Sequence, residues 1–451
     1  MPAAPVSRPV PHAAFTGSPA TAAARLARSG PYEQYVVYER EGTWWYAGGV
    51  AASVTVEAGS ATLRHGGTEV VRAWRADPLS AVRELLAQLP MDRWRAYGWV
   101  AFEMAYALAG AAPGEHGPLL HLVVPEAEVA LTHGGAEIRC CPDAATEQAL
   151  RTTLAQPRTD PRTGPHRAVP VDLDPGHSGL SAYRSAVSQA VSAIQEGQLR
   201  KVILSRTVPV GAEIDLPATY LAGRAANSPA RSFLLRLRGT EAAGFSPETV
   251  VEVTPEGRVS TQPLAGTRAL TGDADGDAAR RAELLADAKE VYEHAISVQV
   301  AWDELTALCR AGSVRAEEFM TVRERGSVQH LASRITGELR THGEGPWAAL
   351  AAVFPAVTAS GVPKSAAYET IRRLEPDPRG LYSGAVLTVG HDGAMDAALV
   401  LRTVFRSGGR TWLRAGAGIV GDSRPEREFE ETCEKLRSVS RTLVPAVETA
   451  S

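Results

Sequence analysis

Short β-like runs joined by tight turns recur along this chain, and a few long helical segments interrupt them. Apolar runs at 35–38, 43–46 and 53–57 are separated by glycine-containing turns. Helical periodicity predicts a long helix over 278–309 and another over 424–443, with Ser423 and Glu426 as a capping box at the start of the second. Hairpin-linked strands with interspersed long helices predict a mixed, mainly antiparallel α+β fold.

Composition divides the chain into three regions. Residues 1–30 are rich in Ala and Pro, contain no acidic residue and lack the apolar core of a secretory signal, so we expect a disordered tail. Residues 31–178 are β-rich and end in a proline-rich linker over 156–179. Residues 179–445 carry the strongest patterns and form the third region, which we expect to pack with the second as one unit.

Charge, hydropathy and cysteine content exclude several classes of protein. The 451 residues contain 47 Lys and Arg against 51 Asp and Glu, so no basic surplus exists for binding nucleic acid. No stretch reaches the roughly 18 uncharged apolar residues of a membrane helix. The four cysteines form neither a CxxC pair nor a zinc spacing, which favours reduced thiols and a cytoplasmic location.

Lysine is rare in this chain. Of the 47 basic residues only four are lysine: Lys201, Lys289, Lys364 and Lys435. An ammonium can lose its proton whereas a guanidinium effectively cannot, so each lysine is a candidate for a role that arginine cannot fill. Lys201 opens the apolar strand pattern KVIL, where desolvation would lower its pKa enough for it to act as a base. The alternative is a strand-end lysine that reaches back to water.

A GxGxxG sequence spans 416–421, between a predicted strand and the last helix. A dinucleotide site also needs a second parallel strand that ends in an acid about 20 residues on, and no such strand follows. We therefore interpret the sequence as a glycine turn near a helix N-terminus. Its backbone N–H groups either cradle a carboxylate or belong to a plain tight turn.

Two acidic pairs have the spacing of one helix face. Glu290 and Glu293 form the first pair, and Glu428 and Glu431 form the second. Each pair alone is typical of a solvated face, but two converging pairs would form an oxygen-ligand site for Mg²⁺. His330, in a predicted hairpin strand, has no local metal partner and taken alone is typical of a hydrogen-bonded structural histidine.

Read together, these segments resemble the chorismate-utilising enzymes, the family of anthranilate synthase large subunits and isochorismate synthases. Within that family they look most like the salicylate synthases of siderophore pathways. The resemblance is dense over 181–443 and loose over the N-terminal third. The segments that carry it are RKVILSR (200–206), FSPE (245–248), PLAGTRA (263–269), KEVYEHAISV (289–298), FMTVRERGSVQHL (319–331), FPAVTASGVPK (354–364), PRGLYSGAV (378–386), LRAGAGIV (413–420) and PEREFEETCEKL (425–436).

The resemblance implies a fold and a metal site. The fold would be a two-layer β-sandwich core with helices outside and the active site in the cleft. Glu293 and Glu431 would be Mg²⁺ ligands, and Glu290 and Glu428 would hold metal-bound waters. A dianionic substrate such as chorismate needs both a metal and an arginine, because two carboxylates cannot be buried unpaired.

The resemblance also implies roles for the remaining site residues. Lys201 would activate water against ring carbon 2, and Glu248 would protonate the departing 4-hydroxyl. Thr267 and His330 would line the ring. The residues expected to contact the substrate are Gly266, Tyr382, Arg402, Gly416, Gly418, Lys435 and Thr358.

Three readings within the family stay open at this point. Lys201 favours a water nucleophile, and so does Ala265, which stands where family members with a lysine nucleophile carry that lysine. The combination of Thr358 with His330 favours a salicylate synthase. The alternatives are an isochorismate synthase that stops at isochorismate and an anthranilate-synthase-like subunit that needs an amidotransferase partner. Gln262 departs from the glutamate expected there in many salicylate synthases. We expect a monomer that binds chorismate and isochorismate and needs no amidotransferase subunit.

Overall fold

The protein is built around two large antiparallel sheets. The computed structural model describes residues 13–114, 117–156, 169–172, 178–326, 328–340 and 345–446. In spatial order, the first sheet contains β18 (Gly361–Val362), β10 (Lys201–Pro209), β22 (Arg410–Ile419), β21 (Thr403–Ser407), β12 (Thr240–Ser246), β11 (Arg231–Leu237), β1 (Tyr35–Arg40), β2 (Thr43–Gly48), β8 (Ala127–Thr132) and β9 (Gly135–Cys140). Every strand pairing along it is antiparallel.

The second sheet is also antiparallel throughout its described pairings. In spatial order it contains β15 (Leu264–Ala269), β17 (Val328–Glu338), β14 (Arg258–Thr261), β13 (Thr249–Val253), β20 (Met395–Leu399), β19 (Ala385–Gly390), β6 (Arg95–Val100), β7 (Leu120–Val124), β3 (Ala52–Glu57), β4 (Ser60–His65) and β5 (Thr68–Ala73), with β16 (Arg315–Arg325) paired to β17. Strands from 31–178 and from 179–445 occur in both sheets, so the two regions share the same two sheets and do not form separate domains.

The two sheets pack face to face, and helices cover their outer faces. Alternate residues of β1 show this, because Val36 and Tyr38 join a core with Tyr97 and Trp99 of the second sheet. The intervening β1 residues join a separate core with the helices outside the first sheet. The helices are α1 (Pro19–Ser29), α2 (Pro78–Leu86), α3 (Met104–Leu108), α4 (Ala144–Ala155), α5 (Ser178–Gln195), α6 (Leu216–Ala226), α7 (Ala274–Ala286), α8 (Ala288–Leu308), α9 (Gly345–Val353), α10 (Lys364–Leu374) and α11 (Pro425–Ser440). The predicted α+β sandwich with helices outside is confirmed.

Among the described residues, no helix combines the length and the apolar character needed to cross a membrane.

The expectation of a disordered tail was wrong for residues 13–30. Ser18 caps α1 by accepting a hydrogen bond from Thr21 N, and Pro19 occupies the first turn, where a missing N–H is harmless. Ala22, Ala23 and Leu26 are fully buried against the outer face of the first sheet. Small apolar residues therefore make a packed helix out of a segment whose composition is typical of disorder. Residues 1–12, and most of the predicted linker, lie outside the described residues.

The long helix expected over 278–309 is two helices that meet at Asp287. The Asp287 side chain accepts hydrogen bonds from Lys289 N and Glu290 N, so it caps α8 and ends the continuity with α7. Its second oxygen pairs with Arg268 of β15 at 2.6 Å. The predicted capping box at the last helix was also wrong: Arg424 is the cap residue there and makes no side-chain capping bond, while Ser423 Oγ accepts from Val420 N.

Candidate active site

A cleft lies where one end of the first sheet faces one end of the second. Strands β10 and β22 supply one wall, β15 and β17 the opposite wall, and α8 and α11 close it. Of the site residues predicted from sequence, all but Glu428 line this cleft: Lys201, Glu248, Gly266, Thr267, Glu290, Glu293, His330, Thr358, Tyr382, Arg402, Gly416, Gly418, Glu431 and Lys435. Glu428 is buried behind the cleft wall, where Lys289 contacts it.

Glu248 is a buried carboxyl group on the connection between β12 and β13. Burial raises its pKa to about 8, although the Thr358 hydroxyl, the Leu264 backbone N–H and Lys201 all act to lower it. Thr358 Oγ1 donates a hydrogen bond to Glu248 Oε1 at 2.6 Å. At neutral pH the Glu248 side chain is therefore mostly protonated, which is the state that a general acid requires.

Lys201 is the first residue of β10 and is almost completely buried. Only 2% of its side chain is exposed, so it does not reach back to bulk water as a strand-end lysine usually does. Its Nζ lies 3.4 Å from Glu293 Oε2. The ladder with β22 and β18 fixes the strand on both sides and directs this amine into the cleft. Its action as a base stays a prediction.

Arg402 and His330 form a polar pair in the cleft. Arg402 Nη2 lies 2.6 Å from His330 Nε2, and Arg402 Nη1 donates to the Arg325 carbonyl. Because a guanidinium can only donate, His330 Nε2 accepts, and the ring proton sits on Nδ1, which lies 3.0 Å from the Gly266 carbonyl. Burial and the neighbouring Arg402 hold the pKa of His330 well below its usual range. His330 is therefore a neutral acceptor that orients Arg402.

The backbone at Arg402 adopts a conformation that arginine rarely takes. Its φ is 49°, and Ser383, which follows Tyr382, has a φ of 62°. Such strained residues concentrate at functional sites, where the surrounding structure holds them in place. Burial, and then Arg325, lower the pKa of Arg402 to about 10, so its guanidinium stays charged at neutral pH.

Gly416 and Gly418 lie inside β22, so the predicted glycine turn was wrong. A Cβ atom on Gly418 would lie 2.8 Å from Glu293 Oε2, and one on Gly416 would lie 2.7 Å from the Leu204 carbonyl oxygen of β10 and 3.1 Å from the Tyr382 hydroxyl. The glycines therefore leave space for these neighbouring atoms and do not form a turn. The Gly416 carbonyl accepts a hydrogen bond from Lys435 Nζ at 2.9 Å.

The acidic pair on α8, Glu290 and Glu293, lies close to the acidic pair on α11, Glu428 and Glu431. Sequence spacing alone could not predict this proximity. Burial raises the pKa of Glu290, and the charges of Glu293 and Glu431 raise it further. Burial and Glu431 likewise raise the pKa of Glu428. Burial opposes ionisation of Glu431 as well, yet Lys435 at 2.8 Å holds the pKa of that carboxyl below its usual value. These carboxylates act on one another through space across α8 and α11.

Each glutamate in this cluster also has a basic partner, and the sequence had not indicated that Lys289 and Arg268 are two of these partners. Lys289 Nζ lies 3.0 Å from Glu428 Oε1 and 3.7 Å from Glu293 Oε1. Arg268 Nη1 donates to Glu290 Oε1 at 3.2 Å. The scarcity of lysine could have identified Lys289, since it lies four residues before Glu293 on the same helix. No local pattern singled out Arg268.

The oxygen atoms of the acidic cluster are ligands of the kind that a hard cation binds. Carboxylate oxygens are the protein ligands that Mg²⁺ prefers, and Glu428 Oε2 is a buried oxygen with no hydrogen-bond partner among the described residues. No three His, Cys, Asp or Glu side chains in the described ranges surround one common point. The cluster therefore suits a cation held by at most two side chains, with water and a ligand anion completing its shell.

The chain is similar to known proteins over nearly its whole length. Residues 32–441 match the family model described as chorismate binding enzyme. A salicylate synthase from Mycolicibacterium paratuberculosis is 42% identical over 437 residues, which are 94% of each chain. Anthranilate synthase component I from Streptococcus pneumoniae superposes with a TM-score of 0.72 at 26% identity, covering 88% of this chain and 92% of that one. The menaquinone-specific isochorismate synthase from Escherichia coli shares the fold, with a TM-score of 0.72 at 21% identity and coverage of 97% and 94%.

Proposed function

The chain belongs to the chorismate binding enzyme family, and we propose from this premise that it is a salicylate synthase. The enzyme would convert chorismate to isochorismate and then to salicylate and pyruvate. One observation carries the proposal: a buried lysine, Lys201, and a protonated acid, Glu248, line the same cleft as the guanidinium of Arg402. The 42% identity to a salicylate synthase over nearly the whole chain supports the same reading.

The first step uses the acid and the base together. Lys201 takes a proton from water as the water oxygen bonds to ring carbon 2. The double bonds shift, the bond from carbon 4 to its hydroxyl breaks, and Glu248 donates the proton with which that hydroxyl leaves as water. Addition and loss balance, so isochorismate is an isomer of chorismate. A carboxyl group with a pKa of about 8 is suited to this donation at neutral pH.

The second step needs geometry rather than an acid or a base. Pyruvate can leave as a hydrogen moves within the substrate from ring carbon 2 to the side-chain methylene and the ether bond at carbon 3 breaks. The site need only hold the conformer in which these atoms meet. Arg402 and Tyr382 would hold the side-chain carboxylate, and the neutral His330 would keep the guanidinium oriented.

The acidic cluster would hold Mg²⁺ beside the ring carboxylate. Glu293 and Glu431 are the proposed direct ligands, and Glu290 and Glu428 would accept hydrogen bonds from its waters. When bound, the ion would neutralise the ring carboxylate of the substrate. Lys289 Nζ lies 3.0 Å from Glu428 Oε1, and the cation nearest to Glu293 is Lys201, at 3.4 Å.

The chain would act alone and in the cytoplasm, as a monomer without an amidotransferase subunit. Its nucleophile would be water, because Lys201 occupies the cleft wall and Ala265 offers no amine. Cys309 and Cys433 are buried free thiols, which suits a reducing compartment. The salicylate would serve siderophore or other secondary-metabolite assembly.

Product analysis tests the proposal. Purified protein is incubated with chorismate and Mg²⁺ without ammonia, and the products are followed by chromatography. We expect salicylate and pyruvate in equal amounts, with isochorismate appearing only transiently. Isochorismate as the sole lasting product would favour an isochorismate synthase instead. Anthranilate that forms only after ammonia is added would overturn both readings.

A further inference from the structure

The buried guanidinium of Arg379 lies at the point where strand β10 separates from the segment that leads into β18. The ladder between β10 and β18 covers only Lys201 and Val202. One residue further, Ile203 N donates to the Ser360 carbonyl, and then the two segments diverge. Arg379 fills the gap: its Nη1 donates to the Ala359 carbonyl at 2.7 Å and its Nη2 to the Ile203 carbonyl at 2.8 Å. One side chain therefore fixes the distance between two segments of backbone.

Both of those segments carry groups of the proposed first step. Ile203 is two residues from Lys201 on β10. Ala359 follows Thr358, whose hydroxyl donates to Glu248. The Arg379 carbonyl also accepts from Tyr382 N at 3.1 Å, which joins the turn that carries Tyr382 to the same residue. Arg379 thus connects the segments that carry Lys201, Tyr382 and Thr358, the hydrogen-bond donor to Glu248, although it does not line the cleft.

Charge and burial make this arrangement rigid. Only 1% of the Arg379 side chain is exposed, and its guanidinium pairs with Glu375 through Nε at 2.9 Å and Nη2 at 2.6 Å. Glu375 is shared with Arg414, which donates to it at 2.6 Å. The backbone N–H of Arg379 donates to the buried carboxyl of Glu103. A planar guanidinium can serve two carbonyls and a carboxylate at once, which the single ammonium of a lysine cannot do with the same geometry.

We infer that Arg379 is a positioning residue for the proposed first step. By holding the Ala359 and Ile203 carbonyls it places the Thr358 hydroxyl on Glu248 and keeps the acid in register with Lys201. The inference rests on the proposed function and adds a residue that acts on the reaction from outside the cleft.

The pH dependence of turnover separates this role from simple stabilisation. Burial, the Thr358 hydroxyl, the Leu264 N–H and Lys201 together set the pKa of Glu248, and the Thr358 bond lowers it. Glu248 must be protonated to act, so activity falls as pH rises through its pKa. When Thr358 drifts from Glu248 that pKa rises, and the alkaline limb of kcat/KM moves to higher pH.

The test compares wild type with Arg379→Lys, Thr358→Val and the double variant, using chorismate as substrate. Arg379→Lys should lower kcat roughly 10- to 100-fold and move the alkaline limb up by roughly 0.5 to 1 pH unit. Thr358→Val should move the limb in the same direction, and the double variant should move it no further, because both changes break one coupled contact.

Arg414→Lys is the matched control. Arg414 is as deeply buried and shares Glu375, but it contacts neither the Ala359 nor the Ile203 carbonyl. Arg414→Lys should lower stability without moving the alkaline limb.

An unshifted limb in Arg379→Lys, an equal shift in Arg414→Lys, or additive shifts in the double variant would overturn the inference. If Arg379→Lys does not fold, Arg379→Gln replaces it, and failure of both to fold would make Arg379 purely structural. Wild type that does not turn over chorismate would instead overturn the proposed function.

Discussion

Replacing Glu248 with glutamine should strongly reduce chorismate turnover and yet make the protein more stable at neutral pH. The reason is the gap between the pKa of Glu248 in the folded protein, about 8, and its usual value of 4.5. Below pH 4.5 both the folded and the unfolded chain hold the proton. Between pH 4.5 and 8 the unfolded chain releases it while the folded chain retains it, so the free energy of unfolding falls as pH rises through this range.

The magnitude follows from the size of that gap. In the unfolded chain the carboxyl group has its usual pKa of 4.5, which is about 2.5 pH units below pH 7. Its ionisation in the unfolded chain therefore lowers the free energy of unfolding at pH 7 by about 3 kcal/mol. Glutamine removes this effect. Its NH₂ group takes the place of one carboxyl oxygen, and weaker hydrogen bonds from the Thr358 hydroxyl and the Leu264 N–H cost about 1 kcal/mol. The expected net gain is about 2 kcal/mol at pH 7 and close to zero at pH 5.

The assay measures urea unfolding of wild type and Glu248→Gln at pH 5 and pH 7, together with product formation. The stability difference should grow by about 2 kcal/mol between the two pH values. Turnover of chorismate should fall by roughly 10²- to 10⁴-fold, as expected on loss of a general acid, whereas salicylate formation from supplied isochorismate should persist. A stability difference that does not change with pH, or undiminished chorismate turnover, would refute the assignment of Glu248 as a buried protonated acid.

Three further changes test other parts of the site. Lys201→Gln should lose isochorismate and salicylate formation from chorismate but retain some salicylate formation from supplied isochorismate, since that step needs no base; unchanged chorismate turnover would reject the role. EDTA should abolish turnover and added Mg²⁺ should restore it, because Glu293 and Glu431 supply only two carboxylates; full activity in metal-free buffer would remove the proposed ion. Arg402→Lys should slow both steps and let isochorismate accumulate in a chromatographic time course, because a single ammonium cannot fix the plane of a carboxylate; normal product ratios would contradict the clamp.

The sequence predicted the fold class, and all but one of the site residues named from it line one cleft. Features that depend on tertiary contacts were predicted wrongly. Gly416 and Gly418 match a turn motif locally, and only their pairing with β10 and the close approach of Leu204 and Glu293 show that they are strand residues with no room for a side chain. The helix α1 was missed because a composition rich in Ala and Pro is typical of disorder, and its burial depends on the sheet beneath it.

Charge partners were the least predictable part of the site. Arg268 reaches Glu290 and Asp287 from β15, about 20 residues away in sequence, and no local spacing encodes that contact. Arg379 and Glu375 are four residues apart, which is a helical spacing that the sequence shows. The contacts of Arg379 with the distant Ala359 and Ile203 carbonyls have no such local pattern. Periodicity identifies which face of an element is buried, whereas it does not identify what the opposing element supplies.

The scarcity of lysine has a practical consequence for chemical labelling. All four lysines are ion-paired, to Glu293, Glu428, Glu304 and Glu431, and none has more than 33% of its side chain exposed. Amine-reactive dyes and coupling surfaces will therefore modify lysine slowly in this protein. Three of the four lysines line the cleft, so the acylation that does occur should inactivate the enzyme, and bound substrate should protect the amines and the activity together.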